Sequence, residues 1–215
     1  MKGLMIKDWK LLKNQGRFYA VIVIFALIIM IANESGYTFA GYYLTFLASL
    51  FTLSTFSYDE ENGGTGFLMT LPADRKTYVK EKFLFGILLM GGSWLVSCLL
   101  SAVFLMIRKP DESPLSLMPP MLGFLAVFSL LLFAAIPMIL RFGPERGRLG
   151  LVGVIGIATL LLIAVSRTAS GAAEALGSVL TRYTAVFAVI AVVLYLAVIL
   201  ACYRISVRVM EKREF

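Results

Sequence analysis

The sequence has no histidine and only two cysteines in its 215 residues. Lacking histidine, it cannot build Ser-His or Cys-His nucleophilic arrangements or any histidine-bearing metal site. The cysteines give no disulfide framework. Cys98 lies deep in one apolar run, about 22 Å from its charged end at helical rise, while Cys202 sits at the charged end of another, so the two cannot bridge. Charge is scarce too, at 15% of residues, and six long stretches contain no Asp, Glu, Lys or Arg. An intramembrane aspartyl protease needs two carboxylates in its spans. Ion-coupled carriers usually keep an ionisable group there despite a cost of ~2.5–3.5 kcal/mol. Both classes are disfavoured. Gly64-Thr65-Gly66 has Met69 after it and no Gly-Lys-Ser/Thr, so it is neither a Walker loop nor a dinucleotide fingerprint. The ~10-residue alternation of barrel strands is missing. No cleaved targeting signal is expected, because Met30 stands where a small residue is wanted and Asn33-Glu34 follow.

What is present is apolar: 60% hydrophobic residues and a mean hydropathy of +0.87, against ~45–50% apolar residues in soluble domains. A spanning helix needs roughly 20 apolar residues, and six runs qualify: 18–32, 39–58, 83–107, 121–140, 150–165 and 185–203. The expected fold is therefore all-α and polytopic, a single transmembrane domain over 1–215. Sixteen of the twenty Lys and Arg fall before the first run, after the second, after the fourth and after the sixth. The positive-inside rule then places both termini in the cytoplasm. The net charge of +7 is accounted for by an inner surface facing anionic membrane lipid and needs no nucleic-acid partner.

Residues 1–17 plot as an interfacial amphipathic helix, with Met1, Leu4, Met5, Trp9 and Leu12 on one side and five basic residues on the other; Asp8 and Ile6 break the pattern. The inner loop 59–82 concentrates nine of the thirty-three charges. Its acidic start and the helical spacing of Phe67, Leu68 and Leu71 predict a short surface helix over 60–71, ended by Pro72. Span two carries Thr45, Ser49, Thr52 and Thr55 beside Phe46, Phe51 and Phe56, a mixture suited either to helix packing or to lining an amphipathic path between two copies. Span three repeats Ser93, Ser97 and Ser101 beside Gly86. Pro137 is expected to kink span four, and Gly150, Gly153 and Gly156 suit close packing of span five. Of the outer loops, 33–38 is a tight turn, 108–120 a partly extended proline-rich link, and 166–184 holds a short helix over about 170–181.

The segment Asp59-Glu60-Glu61 followed by Thr70-Leu71-Pro72-Ala73-Asp74-Arg75-Lys76-Thr77-Tyr78-Val79-Lys80-Glu81-Lys82 resembles the acidic, then T-L-P-x-x-R-K-x-x-V-x-x-K stretch of small six-span bacterial ABC-2-type permeases. Arg141-Phe142-Gly143-Pro144-Glu145-Arg146-Gly147-Arg148, the second inner loop (141–149), is similar to that group's K-F-G-x-E-K-x-R loop. Ala73-Asp74 and Pro144 depart from the pattern. The resemblance implies a membrane subunit that forms a pathway with a second copy or a paralogue, in the bacterial plasma membrane. Two cytoplasmic ATPase subunits would drive it, and they, not this chain, would bind ATP and magnesium; no catalytic or metal residues are expected here. The implied coupling residues are Glu60, Glu61, Asn62, Gly63, Thr65, Phe67, Leu68, Leu71, Pro72, Arg75 and Lys76. Phe142, Gly143, Glu145 and Arg146 are expected as a secondary ATPase contact, and Thr45, Ser49, Thr52 and Phe56 as a pathway or dimer face. Members similar in layout export phenol-soluble modulins, so an amphipathic or cytolytic peptide is the expected substrate. Drug, lantibiotic or lipid export are the alternatives, and so is a non-transporting anchor or sensor.

Overall fold

Backbone polar groups in lipid must be satisfied within their own segment, and the described elements are accordingly helical. The computed structural model describes residues 2–33, 36–61, 64–70, 74–110, 113–147, 149–150, 152–153, 155–156 and 184–213. The elements are α1 (Lys2–Asn14), α2 (Gly16–Ala32), α3 (Gly36–Glu60), α4 (Gly64–Thr70), α5 (Arg75–Arg108), a 3-10 turn (Pro114–Leu117), α6 (Met118–Phe142) and α7 (Thr184–Lys212).

Among the described residues, four helical segments are long and apolar enough to cross a membrane, namely Thr38–Glu60, Arg75–Arg108, Pro114–Phe142 and Ala188–Lys212; α1 and α2 make a fifth if the 60° bend between them belongs to one broken span. Six spans were expected. The run 150–165 is described only at residues 150, 152–153 and 155–156, and the outer-loop helix over 170–181 lies outside the described residues. The interfacial helix expected over 1–17 ends at Asn14, and the chain turns at Gln15 into α2.

Two further boundaries differ from expectation. Helix α5 begins eight residues before its apolar run, because extended backbone at Asp74 (φ −64°, ψ 146°) sets the first turn and nothing in 75–82 breaks a helix. At 34 residues it is about 51 Å long, well over the ~30 Å hydrocarbon core, so its charged first turns stand clear of lipid. The link expected to be partly extended turns helical at Pro114, where the Ser113 hydroxyl accepts from the Leu115 amide at 3.3 Å. Pro119 and Pro120 then occupy the first turn of α6, where a missing N–H costs nothing, and α6 runs on through Pro137.

Helix α3 is the central post, packed on α5, α2 and α6, while α7 packs on α6 and α5. Close approach comes from Gly86, where a Cβ would sit 3.0 Å from Leu132 and 3.3 Å from Thr52. The hydroxyls of the crossing zone return to their own helices: Thr45 to the Gly41 carbonyl (3.0 Å), Thr52 to Ala48 (3.1 Å) and Ser97 to Ser93 (2.7 Å). They can therefore be buried without a partner on a neighbouring helix. One apolar cluster gathers Phe56, Tyr78, Val79, Ile136, Ile139 and Met210; a second gathers Ala26, Met30, Cys98, Leu105 and Met121.

Packing, not chain hydropathy, should then govern stability. Ile136→Ala, at a fully buried position, is expected to cost roughly 2–5 kcal/mol, whereas Leu200→Ala, at a position 58% exposed, should stay within about 0.5 kcal/mol. Denaturant unfolding of both variants in detergent checks the contrast; equal losses would mean that Leu200 is packed.

Candidate functional site

The sequence places charge at both ends of the inner loop, and the folded chain brings those ends together. Asp59 is in the last turn of α3 and Lys82 in the second turn of α5, and the Lys82 ammonium lies 2.8 Å from the Asp59 carboxylate. The same ammonium donates to Asp8 of α1 at 2.5 Å and to the Thr55 hydroxyl at 2.9 Å. It also sits 5.2 and 5.5 Å from the ring centroids of Phe56 and Tyr78. The Tyr78 hydroxyl donates to Asp59 at 2.9 Å. Lys7 closes the group, pairing with Asp59 and lying 3.1 Å from Asp8. The Lys82 and Asp8 side chains are wholly buried and that of Asp59 nearly so. Glu81 is buried beside them, and neither of its carboxylate oxygens has a hydrogen-bond partner.

This knot corrects two expectations. The chain does bury charge, at the inner ends of its helices and not within its apolar runs. The buried face of α1 is Leu4 and Asp8, while Trp9 is 61% exposed. Asp8 spoiled the amphipathic plot because it points at Lys82; an acid alone on an apolar face was the signal.

The surface helix is shorter than the expected 60–71. Helix α3 continues through Glu60, Glu61 is in 3-10 geometry, and α4 is described over Gly64–Thr70. Asn62, Gly63, Leu71 and Pro72 lie outside the described residues. Thr65 ties α4 down, its hydroxyl donating to the Asp59 carbonyl at 2.9 Å. Leu68 packs against the inner apolar cluster, whereas Phe67 stands 67% exposed. Arg75 donates to the Glu211 carbonyl at 2.6 Å, Lys76 lies 3.2 Å from the Glu211 carboxylate, and Arg213 pairs with Glu60. The end of α7 is thereby braced to both ends of the loop.

The second inner loop is shaped by glycine. Gly143 has φ +83°, a conformation that side chains disfavour, and a Cβ on Gly147 would sit 2.7 Å from the Ile139 Cα. The turn leaves Phe142, Glu145 and Arg146 exposed. With Ser57, Tyr58, Glu60 and Glu61 these residues line an open cleft of about 580 Å³, so the structure joins the two stretches named as separate ATPase contacts. By contrast Thr45, Ser49, Thr52 and Phe56 are all buried within the single chain. This face looks inward and is not a free surface toward a second copy.

A family model described as "ABC-2 family transporter protein" matches residues 3–211. No curated protein and no solved structure matches the chain.

Removing one partner of a buried ion pair typically costs about 3–5 kcal/mol, so Lys82→Met should destabilise the chain by that order. Adding Asp8→Leu should restore part of the loss, since Asp59 keeps Lys7 and Tyr78. Glu81→Met removes a buried carboxylate that has no hydrogen bond and should raise the thermal midpoint. A double-mutant cycle read by thermal unfolding tests the set; additive losses for Lys82 and Asp8 would show that the pair is not coupled.

Proposed function

The chain belongs to the ABC-2 family of transporter proteins, and on that premise we propose how it works as the membrane subunit of an ABC exporter. Membership makes it a multi-pass membrane protein that partners an ABC ATPase. Our fuller reading has six spans with both termini cytoplasmic in a bacterial plasma membrane, and two copies, or a copy and a paralogue, with two ATPase subunits. The substrate class we favour is an amphipathic peptide, with drug, lantibiotic and lipid export as the alternatives.

One observation carries the mechanism: an exposed aromatic on α4 stands above a loop whose two ends are ion-paired to each other and to α1. ATPase closure against Phe67 would load α4. Because Asp59 and Lys82 are held together, α3 and α5 would move as one body, and Asp8 would draw α1 with them. Such a joint biases two arrangements of the bundle without chemistry in the membrane subunit. The cleft between Glu60 and Arg146 is the secondary contact in this scheme, with exposed Glu145 and Arg146 offering polar partners. The hydroxyl stripe being internal, we assign the contact between copies to the adjoining stripe of α3, where Phe39, Phe46 and Leu50 are exposed.

Burying a Phe side chain is worth roughly 1.5–3 kcal/mol, so Phe67→Ala should weaken ATPase co-purification about tenfold or more while leaving the thermal midpoint unchanged. Leu68→Ala should do the reverse, lowering the midpoint first. Unchanged co-purification with Phe67→Ala would move the docking site elsewhere. For the second copy, a cysteine at Leu50 should cross-link between chains and one at Ser49 should not; the opposite pattern would restore the hydroxyl stripe as the shared face.

A further inference from the structure

The 60° bend between α1 and α2 forms a crook that α3 and α5 close from behind. Within it lies an apolar groove of about 450 Å³, lined by Trp9 and Leu12 of α1, Gly16 of α2, Leu47 of α3, and Leu88 and Gly92 of α5. The lining itself carries no charge, but cations adjoin it in the chain. Lys10, Lys13 and Arg17 are exposed and have no carboxylate partner among the described residues; Lys7, by contrast, is held in the buried knot. Lys13 follows Trp9 by one helical turn and so lies at the border between the basic and apolar sides of α1, and Arg17 adjoins Gly16. From residue 9 to residue 33 the sequence contains no Asp or Glu, so nothing on this stretch offsets the three cations.

We infer that this crook is a binding site for one anionic phospholipid, its acyl chain in the groove and its phosphate between Lys13 and Arg17. Two features select that occupant. An apolar slot beneath a band of unpaired cations complements an anionic amphiphile, and the same cations repel a cationic peptide. Because α1 is fixed by Asp8 to Lys82, the slot keeps its shape and is not a transient gap beside a floating helix. Assigning the lipid to the inner leaflet rests on the orientation proposed above; the site itself does not.

The chain has only two tryptophans, Trp9 and Trp94, so Trp94→Phe leaves Trp9 as the sole fluorophore. The full chain is reconstituted in vesicles in which either phosphatidylglycerol or phosphatidylcholine carries brominated acyl chains. Trp9 should be quenched preferentially by the brominated phosphatidylglycerol, by roughly fivefold in relative affinity per cation engaged. Lys13→Gln with Arg17→Gln should abolish the preference and keep the quenching. Gly92→Leu fills the slot from α5, where a Cβ meets nothing within 4 Å. It should reduce quenching by both lipids with the thermal midpoint unchanged. With Trp9→Phe instead, Trp94 should report no headgroup preference. Equal quenching of Trp9 by both headgroups overturns the site, as does a preference that survives loss of both cations. Absence of any Trp9 quenching overturns it too, since protein, such as a second copy, would then cover the groove.

Discussion

The joint between α1, α3 and α5 depends on one ammonium group. Lys82 is wholly enclosed, and its hydrogen bonds and ion pairs go to two other helices, Asp8 on α1 and Thr55 and Asp59 on α3, with the Tyr78 ring of its own helix completing the shell. A buried ion pair is weak evidence for stability, because desolvation offsets most of its attraction. What it supplies is geometry. An apolar contact between α1 and α5 could slide by a turn at small cost, whereas a carboxylate displaced from Lys82 would be left buried and unpaired. Glu81, buried beside the knot without a hydrogen bond, shows that this arrangement is not optimised for stability alone.

The same logic extends outward from the knot. Arg75 and Lys76 at the start of α5 hold the end of α7, and Arg213 past that end holds Glu60. The inner face is thus cross-braced by charged residues, while the apolar clusters give the bundle its cohesion. Phe67 and Phe142 are left exposed on this braced face.

Much of this was legible in the sequence. The all-helical class, the helices at 39–58, 83–107, 121–140 and 185–203, and a short helix carrying Phe67 all follow from hydropathy and spacing. The knot was not, since its paired members lie up to 74 residues apart in the chain, and local periodicity says nothing about such pairs. Counting charge only within apolar runs also hid it, as Asp59 and Lys82 each sit one residue outside a run. The burial of the hydroxyl stripe was hidden for a different reason. Thr45 and Thr52 satisfy their hydroxyls on their own helix, so spacing alone could not distinguish a packed face from an open one. The short extent of α4 follows from α3 continuing to Glu60, which the acidic run Asp59 to Glu61 had suggested was already a new helix start.

The separation of Asp8 from Lys82 also has a meaning in time. Synthesis at about 5–20 residues per second puts roughly 4–15 s between the two side chains, and for that interval α1 carries a carboxylate with no buried partner. Such a helix is held at the interface and out of the hydrocarbon, since an unpaired carboxylate there is costly. It can settle only when α5 arrives with its charged turns on the same side of the membrane. An inverted α5 would bring Arg108 and Lys109 to that side in place of Lys82 and leave Asp8 with Lys7 alone. The knot thus ties the placement of α1 to that of a helix whose pairing residue lies 74 positions later in the chain.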